Sequence, residues 1–325
     1  MNIENKAILV TGGAGFIGSW LVDQIALLKP EKVVVIDNFF LGKMENLARA
    51  ETQLGSKLKI YQSDATNYEA LKDIAWKEGQ VDVVFNLAVK PLSVSFVDPA
   101  DVYWTSTRIA MNLLELQRKE LFATLIHFSS SEAYGSAEYV PMDEKHPLRP
   151  TTPYGAGKAA ADHLVLSYYE SYGNDVAIIR PFNTYGPRQN EKTYAGVIPT
   201  TIQRILNCES PIILGDGNQT RDFTFVEDVT EAAIEIYEKK ATRGRVINVG
   251  TGKETSINEL VHIIAKLMNY KGKIIRRSPR PADVRRHCAD ATLAKKLIGF
   301  NPKTSLEDGL RKTIAWYSKK LGGQR

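Results

Sequence analysis

The run TGGAGFIG, residues 11–18, constrains this chain more than any other stretch. It follows the apolar, β-branched segment Ala7–Thr11 (AILVT) and leads into a helical pattern over Ser19–Leu28. Gly12 permits a tight turn, Gly15 lets a pyrophosphate approach the backbone, and Gly18 allows the helix to pack closely on the strand. The free N–H groups and the positive dipole end of that helix then face the phosphates. Asp37 ends a second strand pattern, begun at Lys32, 19 residues after Gly18. An acidic side chain there accepts hydrogen bonds from the adenosine ribose and repels a 2′-phosphate, which favours NAD over NADP. Lys43 is the one nearby cation opposing that preference. A ligand-free turn with a solvated Asp is the poorer reading, because strand and helix flank the glycines on the correct sides.

The same alternation continues along the chain. Leu58–Gln62, Val81–Leu87, Thr124–Phe128 and Val176–Arg180 read as further strands, with helical patterns at Tyr68–Lys77, Tyr103–Lys119 and Gly155–Tyr172. Continuous apolar strands separated by helices predict an α/β fold: a doubly wound parallel sheet covered on both faces. After Pro181 the pattern loosens into loop-rich sequence, with helices near Val197–Leu206 and Ile257–Met268, a strand at Val246–Val249, and final helices. The expected division is a dinucleotide-binding domain over 1–181 with returning segments near 221–250. A smaller, loop-rich substrate domain takes 182–220 and 251–325. No internal repeat is visible.

Composition excludes several classes. Of 325 residues 43% are hydrophobic and 24% charged, as in ordinary globular proteins, so disordered and collagen-like chains are ruled out. A net charge of +5 is too mild and dispersed to imply nucleic acid. Cys208 and Cys288 stand far apart without metal-site spacing, and the five histidines form no ligand pattern, so no metal is expected. The uncharged stretch Ala7–Val22 holds four glycines and is too short to span a bilayer. With no basic n-region or cleavage site, a cytoplasmic protein without membrane association is expected.

Tyr154 and Lys158 lie four apart on a predicted helix and share a face. Tyrosine is a poor base at neutral pH, with an ordinary pKa of about 10. A lysine ammonium one turn away, and a nicotinamide's positive charge, would favour the phenolate. Alone, Tyr-x-x-x-Lys is common on solvated helices. It gains weight from SSSEAYG (129–135) at the C-terminal end of the fifth strand, where doubly wound sheets bind ligands.

Together the glycine motif, Asp37, the serine cluster, Tyr154/Lys158, RPFNTYGPR and RDFTFVEDV resemble the extended short-chain dehydrogenase/reductase family, over nearly the whole chain. That family includes nucleotide-sugar 4-epimerases, 4,6-dehydratases and UDP-glucuronate decarboxylases. The resemblance implies a Rossmann fold, NAD as cofactor, a nucleotide-diphosphate sugar as substrate and a homodimer. It also implies a shared opening step: Tyr154 removes the sugar 4-hydroxyl proton while hydride passes from C4 to NAD⁺. Ser130 bonds the same hydroxyl, and Lys158 holds the ribose and lowers the tyrosine pKa. The 4-keto sugar then has three fates: epimerisation, loss of water across C5 and C6, or loss of a C6 carboxylate.

Glu132 discriminates among them. Epimerases of this type usually carry a small or hydroxyl residue there, whereas dehydratases and decarboxylases place a glutamate suited to proton transfer at C5 or C6. The alternative is a solvated or salt-bridged loop Glu. Many dTDP-glucose dehydratases read Asp-Glu at this pair, and this chain has Ser131-Glu132. GDP-mannose 4,6-dehydratases and UDP-glucuronate decarboxylases have Ser-Glu or similar, and here Glu132 is left to act as both base and acid. The stretch from Ser129 to Lys158 also resembles dehydratases of N-acetylated nucleotide hexoses. A 4,6-dehydratase is the leading expectation, followed by a 4-epimerase, a UDP-glucuronate decarboxylase, and a catalytically silent NAD-binding protein.

By the same resemblance Phe16, Ile17, Asn38, Asp64, Ala65, Leu87 and Ala88 line the cofactor site, with Asp64 on the adenine edge. Ser95, Asn183, Arg221 and Arg280 hold the substrate, the last three through its diphosphate, and Asp283 binds its ribose. Arginine suits this because its guanidinium forks onto phosphate oxygens. Most of the cluster Arg276, Arg277, Arg280, Arg285 and Arg286 reads as a solvated basic face, with Arg280 kept as functional, and a salt bridge to Asp222 or Asp228 is the alternative for Arg221. The chain departs from the family at Ser106 and Ile109, and at Val89-Lys90, where Lys90 is either a substrate contact or a loop cation. His127, within an apolar strand, reads as a core residue.

Overall fold

The computed structural model describes residues 2–191 and 195–322. The β-branched runs form β1 (Ala7–Thr11), β2 (Lys32–Asp37), β3 (Leu58–Gln62), β4 (Val81–Asn86), β5 (Phe122–Phe128) and β6 (Asp175–Pro181). Short strands follow: β7 (Thr184–Tyr185), β8 (Ile212–Leu214), β9 (Thr220–Arg221), β10 (Thr224–Phe225), β11 (Val246–Val249), β12 (Thr255–Ser256) and β13 (Ile275–Arg277). The helices are α1 (Phe16–Leu27), α2 (Ala48–Leu54), α3 (Tyr68–Glu78), α4 (Pro99–Arg118), α5 (Pro153–Tyr172), α6 (Val197–Leu206), α7 (Val226–Glu238), α8 (Ile257–Leu267), α9 (Thr292–Ile298) and α10 (Leu306–Gly322).

Seven strands make one parallel sheet in the order β11-β6-β5-β4-β1-β2-β3. The connection reverses direction between β1 and β4, and ligands bind off the carboxyl ends of strands at such a switch point. The register aligns Thr11, Asn86 and His127 across β1, β4 and β5 at that end. One face of the sheet packs Ile8, Val10, Val33, Val35, Phe85 and Ile126 against α1 and α7. The other packs Leu9, Val34, Val84, Leu125 and Ile178 against α4 and α5. Each fully buried aliphatic side chain contributes roughly 1.5–3 kcal/mol. Ala294, Ile298 and Phe300, in and after α9, join the first face, next to β11.

A separate cluster holds Ile202, Ile213, Leu260, Ile264, Leu310 and Tyr317, between α6, α8 and α10. The chain then doubles back over the sheet's carboxyl edge. Met142 bridges Ala289, the Met142 N–H donates to the Cys288 carbonyl at 2.8 Å, and the Asp222 carboxylate accepts from Thr251, Gly252 and Ala289.

Two helices lie where no helix was read. Neither α2 nor α7 has a capping side chain: they start from Leu47 and Phe225, residues that give no N-terminal signal. Three others start earlier than their periodicity suggests. Gly15 opens α1 at Phe16. Asp98 caps α4, accepting from the Asp101 N–H at 3.1 Å, and Thr152 caps α5, accepting from the Gly155 N–H at 3.1 Å; each is followed by a proline. No helix among the described residues is long and apolar enough to cross a membrane.

Candidate active site

The turn after β1 is built around backbone crowding. Gly12 sits at φ +69°, and a Cβ there would lie 2.8–2.9 Å from the backbone of Leu87 and Ala88. At Gly18 a Cβ would lie 2.1 Å from the Gly12 carbonyl oxygen, so only glycine lets α1 approach β1 this closely. At Gly15 the nearest atom would be the same oxygen at 3.1 Å, leaving open space above the helix N-terminus. These glycines floor a cleft of about 450 Å³, within the range of ligand pockets.

The cleft runs past Phe16, Ile17, Asp37, Asn38, Asp64, Ala65, Leu87 and Ala88 to Ser130, Glu132, Tyr154, Lys158 and Asn183. The Asp37 carboxylate accepts from the Ala14 N–H at 2.9 Å and the Phe39 N–H at 2.8 Å, fixing the turn as well as facing the cleft. Burial holds its pKa above the ordinary value against those bonds. At Asp64 burial also acts upward, but bonds from Thr66 and Asn38 prevail and lower the pKa. Lys43 is tied to Glu191 at 3.4 Å and Glu45 at 3.8 Å. Lys90 lines the cleft, pairs with Asp101 and lies 5.5 Å from the Phe40 ring centre.

At the other end, Ser130 opens a single 3-10 turn, Ser131–Ala133, its Oγ accepting from the Glu132 N–H at 3.2 Å. Tyr154 hydrogen-bonds Ser130. Burial pushes the Tyr154 phenol up to about 12; the Ser130 bond opposes this, and the charges of Glu132 and Asp162 add to it. Lys158 Nζ donates to the Phe128 carbonyl at 2.6 Å, and burial lowers its pKa to about 8. Burial also raises the Glu132 carboxyl, partly countered by the positive charges of Arg221 and Arg280.

Four sequence candidates lie outside the cleft lining. Ser95 is buried and accepts from the Tyr154 N–H at 3.0 Å, so it positions the start of α5. Arg221 and Arg280 both donate to one oxygen of Asp283 at 2.8 Å. The Arg221 partner is therefore Asp283, not Asp222 or Asp228. The charges of Arg221 and Arg280 lower the Glu132 pKa and that of Asp283 raises it. Arg276, Arg285 and Arg286 are engaged by Asn258, Asp216 and Glu254. Among the described residues Asn183 Nδ2 is buried without a partner at the cleft wall, a donor suited to an anionic oxygen.

Of the sequence departures Ile109 lines the cleft, while Ser106 is buried beside Gly157 and outside the lining. Sequence reading missed Phe40, Gly42, Thr105 and Gln189, which also line it. It also missed His287, whose Nδ1 lies 3.3 Å from Ser131 Oγ and whose Nε2 lies 2.8 Å from the Gly135 carbonyl, pinning the turn that carries Glu132. No short-range signal marks a contact across 156 residues.

Comparison with known proteins fits this geometry. A family model described as GDP-mannose 4,6 dehydratase matches residues 9–313. The chain belongs to the extended short-chain dehydrogenase/reductase family. Among curated relatives of this family member, a putative UDP-glucose 4-epimerase of Methanocaldococcus jannaschii is 36% identical over 95% of this chain and 97% of its own. UDP-glucuronic acid decarboxylase 1 of Xenopus tropicalis is 31% identical over 99% and 74%. Among solved structures, a UDP-glucose 4-epimerase of Thermotoga maritima with UDP-glucose superposes with a TM-score of 0.90 at 34% identity, covering 97% and 99%. A dTDP-glucose 4,6-dehydratase of Streptomyces venezuelae with NAD bound reaches 0.91 at 27%, covering 98% of each chain. The relatives are enzymes of nucleotide-sugar metabolism, and the family is NAD-dependent. The glycine floor and the Asp37 carboxylate fit that dinucleotide.

Proposed function

We propose that this family member is an NAD-dependent nucleotide-sugar 4,6-dehydratase, yielding a 4-keto-6-deoxy sugar. The observation carrying the proposal is Glu132: a carboxyl lining the cleft beside Ser130 and Tyr154, held above its ordinary pKa by burial. The glycine turn and Asp37 would hold NAD, which when bound would supply the hydride acceptor for C4 and the hydride source for C6. Tyr154 takes the 4-hydroxyl proton, with Ser130 bonding the same oxygen and Lys158 supplying positive charge beside the ribose. The resulting 4-keto group acidifies C5–H. Glu132 takes that proton and passes it to the departing 6-hydroxyl, which leaves as water; when hydride enters C6, C5 regains a proton, balancing the one Tyr154 took from the 4-hydroxyl. A carboxyl with a raised pKa suits both halves of that exchange.

Asn183, Arg221 and Arg280 then hold the diphosphate and Asp283 the nucleotide ribose. In this reading the sugar lies between a domain of residues 1–181 with returning segments near 221–250 and a smaller domain of 182–220 and 251–325. Exposed Trp104 and Met111 on α4 supply the apolar face of a homodimer.

A 4-epimerase is the second reading, favoured by the names of several relatives. The deciding experiment is mass spectrometry of products formed from UDP- and GDP-linked glucose, N-acetylglucosamine and glucuronate. Loss of one water, diminished roughly 10²–10⁴-fold in Glu132→Gln, is expected. Unchanged mass with altered stereochemistry would make the chain an epimerase, and loss of carbon dioxide a decarboxylase.

A further inference from the structure

Behind the cleft lies a buried polar network that the proposed chemistry does not use. Asp162, one turn beyond Lys158 on α5, is 1% exposed, and Lys158 is 3% exposed. The charged and titratable groups facing Asp162 come from three elements. Arg180 on β6 donates to Asp162 Oδ2 at 2.6 Å, His127 on β5 places Nε2 3.8 Å from Oδ1, and Tyr154 and Lys158 share its helix. Ser129, after β5, donates to the same Oδ2 at 2.6 Å. Arg180 is also stacked 4.3 Å from the Tyr134 ring centre.

The hydrogen-bond chain fixes the charge state of His127. Thr11 Oγ1 donates to Asn86 Oδ1 at 2.8 Å, so the Asn86 amide turns its Nδ2 to His127 Nδ1, 3.0 Å away. Nδ1 is then an acceptor and the neutral ring carries its proton on Nε2, toward Asp162. Burial keeps the ring neutral, lowering its pKa to about 3. His127 therefore adds no positive charge, and Asp162 is the negative charge set against Lys158.

We infer that Asp162 is a positioning residue for Lys158: held by Arg180 and Ser129 one helical turn away, its carboxylate keeps the buried lysine an ammonium. A lysine this deeply buried loses its proton readily, and an opposite charge nearby restores the charged form. Asp162 acts through its field, since its Oδ2 is already engaged by Arg180 and Ser129 while Lys158 donates to Phe128. Removal of the carboxylate shifts Lys158 toward the neutral amine within the physiological range, where its pKa of about 8 already lies.

The inference rests on the reading that Lys158 works as a cation, and its test is independent of the sugar chemistry. The carbon-13 resonance of lysine Cε is titrated in the full chain saturated with NAD, Lys158 being assigned by its loss in Lys158→Met. In Asp162→Asn the Lys158 midpoint should fall by at least about one pH unit, a tenfold loss of ammonium above the midpoint. In Arg180→Met, where Asp162 keeps its charge and loses a competitor, the midpoint should hold or rise. A purely structural Asp162–Arg180 pair predicts the same displacement in both variants. An unmoved midpoint in folded Asp162→Asn, or a fall in Arg180→Met, overturns the inference, and the second variant decides if the first does not fold. Failure of the dehydratase reading would leave these midpoints as predicted and show only in the products.

Discussion

Replacing Gly18 and Gly15 by alanine separates two roles that a glycine-rich turn combines. An alanine Cβ at Gly18 would stand 2.1 Å from the Gly12 carbonyl oxygen and 2.9 Å from Gly12 C and Gly13 Cα. All three are backbone atoms with no rotamer to yield. Ordinary contact begins near 3.4 Å, so α1 and the turn must part by about 1.3 Å. Overpacking of that kind costs roughly 1–3 kcal/mol of stability. At Gly15 the backbone is extended, φ −73° and ψ −176°, and the closest atom would be 3.1 Å away. Gly15→Ala should therefore change stability by less than about 1 kcal/mol, while its methyl group occupies the approach to the helix N-terminus. Urea unfolding and calorimetric NAD titration measure the two effects separately. Gly18→Ala should lose both stability and affinity, and Gly15→Ala mainly affinity, by tenfold or more, about 1.4 kcal/mol. Equal destabilisation by the two variants, or undiminished NAD binding in Gly15→Ala, would refute this account of the turn.

Other outcomes follow from individual contacts. Asp37→Ala leaves the buried Ala14 N–H and the Phe39 N–H without their acceptor, which costs about 1–3 kcal/mol per buried donor, and it should narrow the ratio of NADP to NAD dissociation constants. Burial holds His127 at about 3 and His287 at about 4, below the ordinary 6.5. The unfolded chain therefore binds more protons between those values, so the stability from both neutral rings is complete above about pH 6.5 and lost as pH falls toward 4 and 3. For His287 the displacement corresponds to about 3 kcal/mol. Denaturation midpoints across that window should fall with acid, and less steeply in His287→Gln.

What the sequence made legible is what short-range chemistry dictates. Gly12, Gly15, Gly18 and Asp37 act through one turn and one strand end, and Tyr154 and Lys158 through one helical repeat, so their spacing carried their placement in the cleft. Arg221 was read as functional, but its partner Asp283 is 62 residues away, and no local rule selects it over the adjacent Asp222. Asp222 is itself consumed by Thr251, Gly252 and Ala289. Ser95 likewise meets a distant partner, the backbone of Tyr154, 59 residues later. The buried set of Asp162, Arg180, Ser129 and His127 left no sequence signal beyond polar residues in apolar strands and helices, because it is assembled from neighbours in the sheet and not in the chain.

The edge strand β11 gives the molecule an order of assembly. Val246–Val249 pairs with Ile178–Pro181, yet the two are separated by the whole of α6, α7 and the first strands of the smaller layer. A nascent chain that has emerged only as far as Pro181 ends in a bare parallel strand carrying Ile178 and Ile179. Such an edge is a template for pairing with another copy. Excision of the first 181 residues as a cassette would therefore yield a sticky fragment, and a productive recombination point lies beyond Val249. Synthesis must pass Val249 before the sheet is closed.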